Sequence, residues 1–340
     1  MAGYLLSIDG GATKTVSAIL NPKDMKITGI GVGGPSNFNA VGAQVATDNI
    51  RDAINMAFYN SSLTLNDIDK LLFSLAGVGD SEESDRIATD IADSISESKP
   101  YLLFNDGIAG YRLANLFEDG ILVYVGTGNV NYYQKNGVLK RVGGWGWFAG
   151  DEGSASWIAR RAITYAVRQY DGLLEGDELV KAVEEHFGGK FKEVIWRLEI
   201  NHSKPEVASF APKVTALAAK NYKAAKMVVE EAADYIASVI KRLLKEFESP
   251  PRISIVGGLA LAGNVLIDEV RKRVSHQIHV FYGYQVVVGG LMILLKDMNY
   301  DVDFDLLSSL LKQLDQKITE LGKPLLLKYF YFEKPPGGWG

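Results

Sequence analysis

The sequence predicts an α/β protein built from two similar lobes, and three observations support this. Apolar runs that end in glycine and polar residues alternate with helical patterns. The order strand, glycine–threonine turn, strand, strand occurs over residues 4–32 and again over residues 121–142. The chain has 340 residues, which exceeds the length at which one core keeps growing. We therefore expect a pseudo-symmetric molecule whose two glycine turns face each other across a cleft.

The first lobe is expected to span residues 1–116 and to be completed by an amphipathic helix at 303–320. Its strands are predicted at residues 4–8, 16–20, 26–32, 71–76 and 101–104, and its helices at 44–59, 81–95 and 108–116.

The second lobe is expected to span residues 117–300, interrupted by a helical insertion at 154–248. Its strands are predicted at residues 121–125, 130–134, 138–142, 253–256 and 278–282, with helices that continue to 274 and cover 286–296. The tail at 321–340 could be an added strand, a subunit contact or in part an expression remnant, and its role stays open.

Composition limits the possible functions. The net charge of -5, with both signs interspersed, argues against a nucleic-acid partner. There is no cysteine, which excludes disulfides, thiolate nucleophiles and cysteine-ligated iron–sulfur clusters. The start lacks a signal-peptide pattern and no apolar run approaches the length of a membrane span, so a cytoplasmic enzyme or binding protein is expected. The four histidines give no metal-binding pattern.

The turn at residues 9–15, with sequence DGGATKT, is predicted to hold phosphate. Glycines let backbone amides approach an anion, and the hydroxyls and the lysine add donors. The predicted phosphate-binding residues are Gly10, Gly11, Ala12, Thr13, Lys14 and Thr15. Asp9, at the end of the strand, would face the phosphate and hold Mg²⁺, usually through water. The alternative is an ordinary glycine hairpin with a surface aspartate.

Four motifs occur in order: DGGATKT at 9–15, NDG at 105–107, GTGN at 126–129 and GGLALAGN at 257–264. Together they resemble the phosphate, connecting and adenosine motifs of the actin, Hsp70 and sugar-kinase superfamily. Within it, GGWG at 143–146 followed by GDEGS at 150–154 resembles the N-acetylglucosamine kinase branch of the BadF/BadG/BcrA/BcrD-type ATPase family. The similarity covers residues 4–295 and not the tail.

This resemblance implies two ribonuclease-H-like, actin-like ATPase lobes that close on ATP, Mg²⁺ and a sugar, with a homodimer as the expected assembly. It implies that Asp106 is the catalytic base. The implied nucleotide-binding residues of the second lobe are Gly126, Thr127, Gly128, Gly257, Gly258 and Asn264. The implied sugar-binding residues are Asn37, Asp106, Trp145, Gly146 and Asp151. Asn129 departs from the pattern, because a serine often closes the second phosphate turn.

The roles from the resemblance have structural alternatives. Asp106 follows a strand and precedes a helix, where it can accept a proton from a sugar hydroxyl or simply cap the helix. Asp151 and Glu152 also precede a helix and could cap it. Trp145 and Trp147 could belong to the core, although tryptophan among glycines often cradles a sugar ring, and we retain Trp145 for that role.

The leading hypothesis is an ATP-dependent kinase of an amino sugar or hexose of the N-acetylglucosamine or glucose type. A kinase of a sugar acid such as 2-keto-3-deoxygluconate is the alternative. An ATPase that activates a partner enzyme is less favoured, because such activators hold an iron–sulfur cluster through cysteines and this chain has none. A non-catalytic sugar-binding module is disfavoured by the presence of both Asp9 and Asp106.

Overall fold

A computed structural model describes residues 3–262, 264–330 and 332–336 of this chain. The chain divides into two compact units: unit 1 comprises residues 1–117 and 283–340, and unit 2 comprises residues 118–282. In the part of the chain that the structure describes, no helix combines the length and the apolar character needed to cross a membrane.

Each unit contains one five-stranded mixed sheet. The strands are β1 (Tyr4–Gly10), β2 (Thr15–Asn21), β3 (Lys26–Gly33), β4 (Ile68–Leu75), β5 (Tyr101–Phe104), β6 (Gly120–Val125), β7 (Asn129–Lys135), β8 (Val138–Gly143), β9 (Arg252–Gly257) and β10 (Ile278–Tyr282). The strand order is β3-β2-β1-β4-β5 in unit 1 and β10-β9-β6-β7-β8 in unit 2.

Helices cover the sheets. They are α1 (Phe38–Val41), α2 (Ala43–Ser61), α3 (Glu82–Ser96), α4 (Asp106–Asn115), α5 (Ala155–Tyr170), α6 (Glu178–Phe187), α7 (Phe191–Ile200), α8 (Lys204–Ala208), α9 (Ala211–Ala219), α10 (Lys223–Leu244), α11 (Asn264–Arg273), α12 (Val286–Asp297), α13 (Phe304–Glu320) and α14 (Lys323–Phe330). Short 3-10 turns occur at Leu65–Asp67, Gly258–Ala262 and Gly283–Gln285.

The two sheets share one plan. In each, the first strand pairs antiparallel with the second and parallel with a later strand: β1 with β2 and β4, and β6 with β7 and β9. Since β1, β4 and β5 run parallel, their carboxyl ends meet at one edge of the unit 1 sheet. The predicted α/β class, with the same strand plan in both halves, is confirmed.

Glycines on β3 let α2 approach the sheet closely. A Cβ atom at Gly31 would lie 1.9 Å from the carbonyl oxygen of Ala53, and one at Gly29 would lie 2.3 Å from that of Ala57. Side chains at these positions would push the helix away from the sheet. The glycine spacing on this strand therefore has a packing role.

The C-terminal helices belong to unit 1. Helix α12 packs on α4 and β1, and α13 packs on β3. The sequence analysis ended the second lobe near residue 300, whereas in the structure unit 2 ends at residue 282. Gly289 lets α12 pack closely on α4, and this packing places α12 in unit 1. A Cβ atom at Gly289 would lie 1.9 Å from the Ala109 carbonyl oxygen of α4, so a side chain there would force the two helices apart. The tail begins with a helix, α14, so the added strand considered for it is not formed at 323–330.

The apolar core of unit 2 joins its sheet to the helical insertion. Strand residues such as Ile121 and Ile253 share one cluster with α5 and with the buried stripe of α10. That stripe includes Val228, Ala232, Ile236 and Ile240, which recur every four residues as expected for one helix face. The insertion therefore forms part of the core of this unit.

Candidate active site

The first phosphate turn connects β1 to β2. The amide of Gly11 donates to the Lys14 carbonyl over 3.0 Å and closes the turn. Within the described residues, the amides of Ala12 and Thr13 donate to no protein atom, and the Thr13 side chain is exposed. These two amides are available to an anion. Gly10 lies against the protein instead, since an added Cβ atom would meet the Ser36 hydroxyl at 2.4 Å.

Thr15 supports the turn from beneath. Its side chain is fully buried, and its hydroxyl lies 2.8 Å from the Gly34 carbonyl oxygen and 2.7 Å from the Ser36 hydroxyl. Burial turns this hydroxyl toward the 34–36 loop, and a hydrogen bond from it to phosphate stays a prediction.

The same loop carries Asn37 to the turn. The Gly11 carbonyl accepts hydrogen bonds from the amides of Ser36, at 3.0 Å, and Asn37, at 3.2 Å. The Asn37 side-chain oxygen accepts from the Asn39 amide and caps α1. Its side-chain NH₂ group has no protein partner among the described residues, which leaves two donors for a ligand.

Asp9 is a buried carboxylate at the carboxyl end of β1, with 7% of its surface exposed. Its Oδ1 atom has no hydrogen-bond partner among the described residues. Burial raises the pKa of Asp9 well above its usual value, the charge of Asp106 raises this pKa further, and Lys14 opposes both. A buried carboxylate with an unpartnered oxygen is suited to a cation that is supplied from outside the chain.

Asp106 is the first residue of α4 and is half-buried. The helix N-cap is the preceding residue, Asn105, whose side-chain oxygen accepts from the Gly107 amide over 2.9 Å. Asn105 also donates to the Val78 carbonyl over 2.8 Å, which ties the start of α4 to the loop after β4. The capping alternative for Asp106 is therefore wrong, because Asn105 already fills that position.

Lys14 is half-buried at the end of the first turn. Burial lowers its pKa to about 8, and the nearby carboxylate of Asp9 acts in the opposite direction. Its ammonium nitrogen lies 5.4 Å from the ring centroid of Phe330 in α14. Among the described residues no carboxylate lies within ion-pair distance of Lys14.

The second phosphate turn connects β6 to β7 in unit 2. The Gly126 amide donates to the Gly128 carbonyl over 2.9 Å, so this turn is closed two residues along the chain, whereas the first is closed three residues along. The carbonyls of Gly126 and Thr127 accept from the amides of Ala155 and Ser156 at the start of α5. In both turns, backbone carbonyls accept hydrogen bonds from a later segment of the same unit: from Ser36 and Asn37 in the first turn, and from the start of α5 in the second. The amides of the turns can then point toward a ligand.

Asp151 lies beneath the second turn. Its Oδ1 atom accepts from the Asn129 amide over 3.1 Å, and its Oδ2 atom lies 2.5 Å from the ammonium nitrogen of Lys204 in α8. Only 5% of Asp151 is exposed, and its φ of 62° is left-handed, which is strained for a residue other than glycine. Since Ser154 is the N-cap of α5, the capping alternatives for Asp151 and Glu152 are wrong.

The two tryptophans of the GGWGW segment differ in environment. Trp145 is 79% exposed, so its alternative as a core residue is wrong. Trp147 is half-buried, with the Arg160 guanidinium 5.4 Å from its ring and the His202 ring 5.0 Å away. Gly146 has a φ of 84° with open space around it, and it gives this loop a left-handed bend.

The predicted adenosine residues follow β9. Gly257 has a φ of 135°, and an added Cβ atom would lie 2.1 Å from the Val125 carbonyl oxygen, so it packs against the second turn. Gly258 opens a 3-10 turn and has free space around it. Asn264 is the first residue of α11, and the prediction for its side chain lies outside what the structure describes.

Lys204 is the site residue that the sequence analysis missed. It lies 53 positions from Asp151 in the chain, inside the helical insertion, and an added Cβ atom at Gly128 would be 2.9 Å from its ammonium nitrogen. The segment around it reads only as a helix start, with Ser203 as N-cap and Pro205 after it. No local signal pointed to its partner.

These features define a protein of the actin-like ATPase fold, in which each unit presents a glycine turn at the start of a mixed sheet. The chain belongs to the BadF/BadG/BcrA/BcrD ATPase family, whose model matches residues 6–293.

Individual relatives extend over most of the chain. An N-acetylmuramic acid/N-acetylglucosamine kinase of Clostridium acetobutylicum is 29% identical over 284 residues, which cover 79% of this chain and 89% of that protein. An N-acetyl-D-glucosamine kinase of Dictyostelium discoideum is 23% identical over 287 residues, with coverage of 79% and 89%. A crystal structure from Chromobacterium violaceum, assigned as an N-acetylglucosamine kinase, matches with a TM-score of 0.69 and 24% identity over 86% of this chain and 99% of that one.

Proposed function

We propose that this protein transfers the γ-phosphate of ATP to a hydroxyl of an amino sugar or hexose of the N-acetylglucosamine or glucose type. The observation that carries the proposal is the pairing of two carboxylates in unit 1. Asp106 lies close enough to Asp9 to raise the pKa of Asp9, and the two residues lie at the carboxyl ends of the parallel strands β1 and β5, at the edge that carries the first phosphate turn. The names of the aligned relatives support the same class of reaction.

Asp106 is the proposed general base. The hydroxyl oxygen of the sugar attacks the γ-phosphorus, the bond to the leaving ADP oxygen breaks, and the hydroxyl proton passes to the Asp106 carboxylate. Asn105 is the N-cap of α4, and Oδ1 of Asp106 also accepts from the Gly107 amide over 3.0 Å, which orients the carboxylate at the start of the helix.

The protein groups proposed to hold the triphosphate are mostly backbone amides. Ala12 and Thr13 offer unpaired amides in the first turn, and Lys14 adds a positive charge. The turn of Gly126, Thr127 and Gly128 is proposed to do the same from unit 2, with Gly257, Gly258 and Asn264 at the adenosine. Phosphoryl transfer depends mainly on such positioning and neutralisation of charge.

Asp9 is proposed to hold Mg²⁺ through water. The residues fit this ion, because Oδ1 of Asp9 has no hydrogen-bond partner among the described residues, and because a nearby cation would oppose the burial and the Asp106 charge that raise the pKa of Asp9. Within the described residues no group of three or more acidic or histidine side chains could hold a metal alone, which agrees with an ion held mainly by phosphate and water. When bound, Mg²⁺ neutralises charge on the phosphate oxygens.

Sugar binding is proposed for Asn37, Trp145, Gly146 and Asp151. Asn37 has a free side-chain NH₂ group, and Trp145 offers an exposed ring. Asp151 already accepts from Lys204 and from the Asn129 amide, and a carboxylate with about four acceptor positions can still take one sugar hydroxyl. The Lys204 charge is committed to Asp151, so it gives no support to a sugar acid as substrate.

A panel of sugars tests the proposal. Purified protein with ATP and Mg²⁺ is assayed for ADP release with N-acetylglucosamine, glucosamine, glucose, N-acetylmuramic acid and 2-keto-3-deoxygluconate. We expect release that depends on an amino sugar or on glucose. Preference for the sugar acid would replace the substrate assignment, and ADP release that no sugar stimulates would contradict the kinase proposal. Homodimer formation stays a prediction that analytical ultracentrifugation would test.

A further inference from the structure

Helix α14 ends in an aromatic cluster formed by Tyr284, Phe330 and Phe332. The ring of Phe330 is stacked on Phe332 at 5.5 Å and meets Tyr284 edge-on at 5.5 Å, and Phe332 lies 5.6 Å from Tyr284. Phe330 and Leu326 anchor the helix, because both are buried. Offset and edge-on pairs of this kind hold rings in defined orientations.

The cluster is also fixed to α13. The Tyr284 hydroxyl donates to Oδ1 of Asp315 over 2.8 Å, and Tyr284 is itself buried. The position of Phe330 is thus determined by contacts from the Gly283–Gln285 turn and by α14 itself. A ring held in this way is a rigid support.

Lys14 of the first phosphate turn lies over this support. Its ammonium nitrogen is 5.4 Å from the Phe330 ring centroid, within the range of a cation–π contact. The ring attracts the ammonium through its negative face, yet it occupies none of the N–H donors as a carboxylate would. Lys14 therefore keeps its N–H donors for an anion.

Lys204 provides the contrast. It lies 2.5 Å from a carboxylate oxygen of Asp151, so its charge is compensated inside the protein. Lys14 has no such carboxylate within ion-pair distance in the described chain, although it lies beside a turn proposed to bind phosphate. The two lysines near glycine turns are thus held by different means. Lys204 forms an ion pair with Asp151, whereas Lys14 lies over the Phe330 ring and is influenced by the Asp9 carboxylate only from beyond ion-pair distance.

We propose that Phe330 is a positioning residue that holds the Lys14 ammonium over its ring for binding of the ATP phosphates. This proposal rests on the proposed function and adds to it a residue from the C-terminal helix. Phe330 lies beyond residue 293, where the match to the family model ends. Phosphate binding by Lys14, which lies within the matched residues, would therefore depend on a side chain outside them.

The low pKa of Lys14, about 8, agrees with its environment, because burial disfavours the charged form and Asp9 favours it. Bound phosphate would favour the charged form further. The proposal itself depends on the position of the ring and not on this titration.

The test compares the full-length protein with Phe330→Leu, which removes the ring and keeps an apolar side chain. We expect the Kd for ATP with Mg²⁺, measured by calorimetry without sugar, to rise about fivefold to tenfold. The KM for the sugar should stay within about twofold, since Phe330 contacts Lys14 of the phosphate turn and none of the residues proposed to bind the sugar has a ring contact with it among the described residues. Phe330→Tyr keeps the ring and should restore most of the affinity.

Two controls separate positioning from general packing. Ile95→Ala removes a buried side chain near the C-terminal end of α3, a helix outside the cluster of Tyr284, Phe330 and Phe332, and it should leave the ATP affinity unchanged. In a Lys14→Met background, Phe330→Leu should have no further effect, because the ring would have no ammonium to hold. Thermal melts identify variants that are unfolded at the assay temperature, and Phe330→Met repeats the test if Phe330→Leu is one of them.

Equal losses of ATP affinity in Phe330→Leu and Ile95→Ala would overturn the proposal, as would a Phe330→Leu effect that persists without Lys14. Because the readout is nucleotide binding, it remains decisive even if no sugar is phosphorylated. Conversely, normal sugar kinase activity together with unchanged ATP affinity in Phe330→Leu would contradict the role of Phe330 alone.

Discussion

Three charged side chains of the candidate site illustrate different ways to bury a charge. Asp9 is buried with an oxygen that has no partner in the described chain, and its pKa is raised by burial first and by Asp106 second. Asp151 is buried and compensated by Lys204. Lys14 is held over an aromatic ring. An uncompensated carboxylate costs stability in the absence of a ligand, so Asp9 is expected to serve ligand binding at the expense of folding.

The substitution Asp9→Asn should stabilise the protein in the absence of metal and nucleotide while abolishing turnover. The pKa of Asp9 is raised in the folded state above its value of 3.8, so the folded state holds more protons than the unfolded state between these two pKa values. Stability therefore falls as the pH rises through that window, and the loss is complete above the folded pKa. Asparagine at position 9 carries no charge at any of these pH values, so the variant does not lose stability as the pH rises.

Thermal melts in EDTA at several pH values measure this effect. The variant should melt about 2–4 °C higher than the native protein at neutral pH, and the difference should vanish near pH 4. Asp69→Asn, in the exposed part of β4, is a control that should change neither activity nor the pH dependence. A lower melting temperature for Asp9→Asn at neutral pH would contradict the interpretation.

Lys204→Met should destabilise the protein, because it leaves the buried carboxylate of Asp151 without its cation. Loss of one partner of a buried pair costs about 3–5 kcal/mol, and the partial exposure of Lys204, 31% of its side chain, reduces the expected loss to about 2 kcal/mol. Denaturant unfolding measures it.

The double variant Lys204→Met with Asp151→Asn should recover most of that stability, since no uncompensated charge remains. Lys181→Met, in an exposed pair with Asp177, is the matched control and should change stability very little. Equal effects of the two lysine substitutions would show that Asp151 does not need Lys204.

Single residues could be predicted where backbone geometry dictates their type. The glycine turns were found because a strand that ends in glycine and hydroxyl residues has few other uses. The contacts of Thr15 with the 34–36 loop could not be predicted, because sequence does not show which way a hydroxyl turns at a strand start. Lys204 could not be found, since its partner lies 53 residues away and the contact depends on how the insertion folds.

Among the secondary structure elements, helix starts control the site. Asn105 caps α4 and also bonds to the Val78 carbonyl, so it fixes the residue that follows it, Asp106. Ser154 caps α5, whose first amides hold the carbonyls of the second turn. Each cap thus places a functional group through the backbone.

Asn105→Ala should lower both stability and turnover. Loss of the cap costs about 1 kcal/mol, and misplacement of Asp106 should lower kcat about tenfold with little change in the KM for ATP. Asn105→Ser keeps a capping oxygen and should retain most of the stability. If kcat is unchanged in a folded Asn105→Ala variant, the start of α4 does not position the base.

The elements themselves were largely predictable, because their apolar periodicities are long and regular. Helix α14 was not, since the run of aliphatic and aromatic residues at 325–332 suits a strand as well as a helix. The helix buries Leu326 and Phe330, which lie four positions apart on one face, and the contacts of this face with other parts of unit 1 select the helix over a strand.

For the whole molecule, the repeated strand plan predicted two units, but their boundary was misplaced. Residues 283–340 return to unit 1, where Gly289 lets α12 pack closely on α4. Such a return depends on a contact between segments far apart in sequence, which periodicity within one segment does not show. The same return brings Phe330 to Lys14.

The most direct test of the central claim is turnover by Asp106→Asn. With the sugar that the panel identifies, kcat should fall at least about 100-fold, while ATP affinity and the melting temperature remain near those of the native protein. Glu83→Gln, an exposed carboxylate in the first turn of α3, is the matched control and should keep full activity. A folded Asp106→Asn protein with native kcat would contradict the account.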